Sequence, residues 1–288
     1  MMKKIYFAGL ITAISTFVIF CLTTICNNIH CLNAHFTPDY EKQSLQELAC
    51  KATLQEDDYQ TLLYQTGLGR PAIDSLYETD SDPQTRLATL ETYQNALFAP
   101  ICWNEVTNFC GPNSFRRQTP AGCEPLDIPM VPLEDGDIIL TTASATLGFP
   151  NGHIGIVVDA KEGICLEAIA INTNSATCHT THWTNYANFM VYRLKDCNPE
   201  IPHIIASNAV STLVEKPYSL TVGLLGKKYE PCSSLVATHC AHLVWEAYAD
   251  YGYDLDSNDG LLVSVDDIAG SDYLELVQLY GVSPDRWN

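Results

Sequence analysis

The chain has 288 residues, 47% of them hydrophobic and 17% charged, and a formal net charge of −19 with only 15 Lys and Arg. So much apolar material excludes intrinsic disorder and is ample for a core. The acidic balance argues against nucleic acid as a partner, because phosphate binding needs a basic footprint.

Lys3 and Lys4 precede an uncharged run from Ile5 to Cys26, and Leu32-Asn33-Ala34 offers a small-residue cleavage site before His35. Residues 1–34 therefore read as a signal peptide or, left uncleaved, an N-terminal membrane anchor. Either way the remainder is expected to be secreted or membrane-anchored facing the extracytoplasmic side, where disulfides form.

Residues 35–131 read as a helical N-terminal region and a Cys-containing linker. LQEDDYQTLLYQTGLG stops at Gly67 and Gly69, RPAIDSLYE carries Pro71 near its start, and PQTRLATLETYQNALF places Leu87, Leu90, Tyr93 and Leu97 on one face. No chemical constellation stands out there. From Ala99 to Pro132 the Pro, Gly, Asn and Cys content predicts an irregular linker pinned by Cys102, Cys110 and Cys123.

Residues 132–288 alternate strands, turns and helices. GDIILTT, HIGIVVD, ICLEAIAI and FMVYRL are predicted strands, and EIPHIIASNAVSTLVE is a predicted helix. Lys161-Glu162-Gly163 suits a three-residue hairpin loop, a register in which His153 and Glu167 share a face. The stretch from Thr238 to Asp256 is a helix with Leu243, Val244, Ala247, Tyr248 and Tyr251 at helical spacing and a stop at Gly252. Cys240 lies in its first turn, where free N–H groups and the helix dipole favour a thiolate. His153 is the base that the fold can bring to it. The pattern is α+β, with an antiparallel sheet packed on helices.

Taken in order, GDIILTT, NGHIGIVVD, GICLEA, KPYSL, HCAHLVWEAY and YDLDSNDG resemble the circularly permuted, papain-like branch of the NlpC-type cysteine hydrolases, the YiiX-like proteins. The chain is similar more distantly to the lecithin retinol acyltransferase group. The resemblance runs from about Leu133 to Ala269 and implies a permuted papain-like (NlpC-like) domain. It implies Cys240 as nucleophile, His153 as base and Glu167 as the group that orients the imidazole. Tyr218 would join the Cys240 backbone N–H in an oxyanion hole. The implied activity is that of a cysteine hydrolase, peptidase- or amidase-like, with a peptide or acyl substrate, cell-wall peptidoglycan among the candidates. A lipid acyl hydrolase or acyltransferase, or a binding module that keeps only the fold, is the alternative.

Two other sets of residues carry metal-ligand chemistry. His239 and His242 sit three apart and can ligate zinc with Cys240 or Cys232, as can Cys178-His179 with His182. Neither set has a matching second half at conventional spacing, so no metal or other cofactor is expected. DLDSNDG departs from a calcium loop, with Gly260 one place late and Val265 in place of the twelfth-position Glu, and reads as a turn. Of 12 cysteines, cleavage after Ala34 removes Cys21, Cys26 and Cys31 and leaves nine. Eight can pair, with Cys232 a preferred partner, and Cys240 is the expected free thiol.

Overall fold

A computed structural model describes residues 11–22, 35–99, 102–103, 110–111, 117–118, 127–146, 151–224 and 227–287. The cleavage site at residues 32–34 lies outside them, as do most of the linker and the loop at Gly148–Pro150. Residues 11–22 are helical and exposed, and among the described residues no helix is long and apolar enough to cross a membrane.

Four helices follow, α1 (Gln46–Cys50), α2 (Glu56–Thr66), α3 (Arg70–Thr79) and α4 (Pro83–Leu97). Local chemistry sets their ends. The α2 start is a capping box in which Gln55 and Asp58 bond each other's backbone N–H, and Gly67 ends the helix in the left-handed conformation. Asp82 caps α4 by accepting from Thr85 N–H, with Pro83 opening the helix.

The centre of the molecule is a six-stranded, wholly antiparallel sheet. Its strands are β1 (Ile138–Thr141), β2 (His153–Asp159), β3 (Ile164–Glu167), β4 (Ala176–His179), β5 (Phe189–Leu194) and β6 (Leu274–Tyr280), in the spatial order β6-β5-β1-β2-β3-β4. Alternation along each strand gives the sheet two apolar faces. Ile138, Leu140, Ile154, Ile156, Leu166 and Met190 pack against α5 (Glu200–Leu213) and α6 (Cys240–Ala249). Ile139, Val157, Cys165, Phe189, Val191 and Val277 meet Leu62, Leu68, Ile73 and Leu90 from the N-terminal helical region. Arg193 on β5 donates to both carboxylate oxygens of buried Asp137 beside β1, at 2.8 Å each. That pairing neutralises charge that the sheet would otherwise leave uncompensated.

Two sequence expectations change. Helix α6 spans only Cys240–Ala249 of the expected Thr238–Asp256 stretch, and it is buried from Cys240 through Tyr248, including His242 and Glu246. The strand β4 and the last strand, β6, were not anticipated. β4 is mostly exposed and polar, while β6 carries a bulge between Leu276 and Gln278 that breaks its alternation.

Disulfides were also expected, and among the described residues none forms. Cys21, Cys50, Cys165, Cys178, Cys197, Cys232 and Cys240 are all free thiols. Cys232 is instead a small buried residue that donates to Glu246 O across 3.4 Å. Of the expected Cys102, Cys110 and Cys123 clasp, only the backbone of Cys102 and Cys110 is described.

Candidate active site

Cys240 is the first residue of α6, preceded by His239, which caps the helix by accepting from His242 N–H through Nδ1. That cap satisfies one of the free N–H groups at the helix start. The N–H groups of Cys240 and Ala241 have no acceptor within the helix. His153 is the first residue of β2, at the end of the strand where the α6 N-terminus arrives. Gly152 before it has a left-handed backbone (φ +69°), and a Cβ there would stand 2.7 Å from Thr141 O.

Glu167 closes β3. Its Oε2 lies 2.7 Å from His153 Nε2, and both side chains are almost wholly buried. The two share a face because Gly155, two residues beyond His153, pairs directly with Glu167. Two departures from the expected hairpin together restore the parity. The loop holds four residues, Ala160 to Gly163, and a bulge between Val157 and Asp159 moves the register by one more residue. With Nε2 engaged by Glu167, Nδ1 is the nitrogen left to face Cys240, whose ionised form both His153 and His239 favour. The His153 ring stacks on Trp183, with centroids 5.2 Å apart and planes 9° from parallel. Sequence reasoning offered His239 only as a zinc ligand beside Cys240, and gave Trp183, which the fold brings here, no catalytic role.

Electrostatics follow from these contacts. Burial works against an imidazolium at His153, but the Glu167 charge and the hydrogen bonds to Cys240 and Glu167 win, raising its pKa to about 10. Burial also pushes the Cys240 thiol up, yet the two histidine hydrogen bonds and the His153 charge bring it down to about 6. For Glu167, burial is outweighed by His153 and His182, which hold the carboxyl well below the usual carboxylate range. The arrangement therefore favours a thiolate–imidazolium pair at neutral pH.

Tyr218 is half-buried against the same core as Cys240, in a segment bridged in parallel to Thr238, two residues ahead of the thiol. The other histidine set does not converge on an ion. His242 has both ring nitrogens occupied, at 2.7 Å from Lys228 O and 3.0 Å from Thr238 Oγ1. Of the second set, Cys178 and His182 converge while His179 instead bonds Thr181, and Cys165, which the sequence did not supply, takes its place. Cys165, Cys178 and His182 bring their donor atoms within 4.8 Å of one another. Asp254 and Asp256 are turn residues, as expected, each accepting from the backbone N–H two residues on.

No protein-family model matches the chain, and no curated protein matches it. Among solved structures it is similar to that of the metalloprotein YiiX from Escherichia coli O157:H7, at 16% identity and a TM-score of 0.39. The likeness covers 51% of this chain and 97% of that one. It is too loose to transfer an activity or a metal.

Proposed function

We propose that the protein is a cysteine hydrolase in which Cys240 is the nucleophile, His153 the base and Glu167 the group that orients His153, on a permuted papain-like frame. The observation that supports this most is the buried chain of contacts from Glu167 through His153 to a thiol at a helix start. In this reading the Cys240 thiolate attacks a carbonyl carbon, and the developing oxyanion takes hydrogen bonds from the N–H groups of Cys240 and Ala241. Tyr218 is a further candidate donor to it. The tetrahedral adduct collapses as the His153 imidazolium gives its proton to the leaving amine or alcohol. Water, deprotonated by His153, then releases the acid and restores the thiol.

The first substrate class is an amide, with cell-wall peptides as the working case for an exported chain. A lipid acyl ester is the second, favoured by one feature of the surface. Leu220, Leu224, Val236 and Leu261 are exposed, Val236 and Leu261 at 76% and 70%, on segments that adjoin the chain leading into Cys240. Singly such residues are ordinary, but four on adjoining segments suit an apolar acyl group.

The experiment is intact-protein mass spectrometry after incubation with cell-wall fragments and, separately, with phospholipid vesicles. A peptidyl or fatty acyl adduct on Cys240, absent from Cys240→Ala, identifies the class. Turnover of a confirmed substrate by Cys240→Ala at the wild-type rate would refute the assignment.

A further inference from the structure

The cluster behind Glu167 has no task in the chemistry above, yet its donors are arranged as a binding site. Cys165 and Glu167 are two apart on β3 and so share a face, Cys178 is the direct cross-strand partner of Cys165, and His182 comes from the 3-10 turn at Thr180–Asn185. The two sulfurs are 3.4 Å apart, Cys178 Sγ is 3.0 Å from Glu167 Oε1, and His182 Nε2 is 3.4 Å from Glu167 Oε2.

The tautomer of His182 is decisive. Its Nδ1 lies 2.7 Å from His179 O, and a carbonyl only accepts, so Nδ1 carries the hydrogen. Nε2 is buried and faces Glu167 Oε2 across 3.4 Å, where either the ring's own second proton or a metal ion can meet the carboxylate charge. In the neutral ring the Nε2 lone pair is available to ligate a metal. Nδ1–H held by a backbone carbonyl is also how metal-ligating histidines are oriented.

We propose that Cys165, Cys178 and His182 form a three-ligand site for Zn2+, with the fourth tetrahedral position left to water. With bonds of about 2.3 Å to sulfur and about 2.0 Å to nitrogen, tetrahedral donors stand roughly 3.5–3.8 Å apart, and the three donor atoms lie within 4.8 Å of one another, so small side-chain shifts would seat the ion. Two thiols and an imidazole select a borderline-soft ion over Mg2+ or Ca2+. Binding replaces the two S–H protons, which leave to solvent, with two Zn–S bonds. Glu167 stays beside the site, its Oε1 3.0 Å from Cys178 Sγ and its Oε2 on His153.

The test is a cobalt titration of the full chain, stripped of metal and reduced with a phosphine. One equivalent of Co2+ should give a thiolate-to-cobalt charge-transfer band and the intense visible bands of tetrahedral Co(II), both erased by Zn2+. Cys178→Ser and His182→Ala, shown folded by circular dichroism, should bind at least about tenfold more weakly, a loss typical even of outer-shell partners. Cys240→Ala should bind as wild type, so failure of the hydrolase reading leaves this result standing. Absence of the charge-transfer band in the reduced wild-type chain overturns the proposal. So does an unchanged band in Cys178→Ser.

Discussion

Replacing His153 by Gln keeps much of the side-chain bulk and removes the imidazolium, so it isolates what that charge does to Cys240. At pH 6 a thiol lowered to about 6 is half ionised. A thiol returned toward its ordinary value near 9 is only about 0.1% ionised, a difference of about 500-fold in thiolate. The more acidic thiolate is intrinsically weaker, by about 20-fold over three pKa units at a Brønsted slope near 0.45. The net expectation is that wild-type Cys240 alkylates about 20–30-fold faster than His153→Gln at pH 6. Above pH 9 both thiols are largely ionised, and the order reverses. The two profiles should therefore cross at about pH 7.5. Burial of the thiol slows both proteins alike and leaves the crossing in place. The assay is timed iodoacetamide labelling from pH 5 to pH 9, with the Cys240 peptide quantified by mass spectrometry. Superimposable profiles would refute the ion-pair account.

Glu167→Gln should keep Cys240 alkylatable and reduce turnover by less than His153→Ala, whose loss of a base is worth about 10²–10⁴-fold. Equal, near-wild-type rates in Glu167→Gln and Glu167→Ala would remove Glu167 from the mechanism. Glu246, fully buried on α6, has its carboxyl raised by burial to about 8, with Asp250 and Glu230 adding to the shift and the Glu230 N–H opposing it. Its contribution to stability is therefore fully present below the unfolded value near 4.5 and lost as pH rises through about 8. Glu246→Gln should melt a few degrees above wild type at pH 8.5, for a gain of about 1–2 kcal/mol, and show no advantage at pH 4.5. An equal difference at both pH values would contradict this account of Glu246.

The sequence was most legible where periodicity and local chemistry coincide. The three longer N-terminal helices announce themselves through Gly67, Pro71 and Pro83, and β2 and β5 through continuous apolar runs. The pairing of His153 with Glu167 was readable from parity alone, although the parity survived only because an extra loop residue and a bulge each moved the register by one residue. That Cys165 joins Cys178 and His182 was illegible for a different reason. The halves of this cluster meet across β4, whose mostly exposed ATCH sequence has no apolar alternation to mark it as a strand. Counting cysteines misled, because at Cys232 burial, which composition does not reveal, lets a thiol serve as a small apolar side chain.

Strand β6 lies at the rim of the sheet, and residues 67–69 run along its outer side. Gly69 N–H donates to Val277 O at 2.8 Å and Leu279 N–H to Gly67 O at 2.7 Å. The approach leaves no room for side chains. A Cβ on Gly67 would stand 2.2 Å from Leu279 O, and one on Gly69 would stand 1.9 Å from Leu276 O. The turn between α2 and α3 thus acts as a guard rail over LELVQLY, a β-prone segment whose bare hydrogen-bonding edge would recruit copies of itself. A fragment begun at residue 132 keeps every proposed catalytic side chain but sheds the rail. Such a fragment should aggregate where the longer chain stays dispersed, so trimming to the apparent catalytic half is the wrong route to a tractable enzyme.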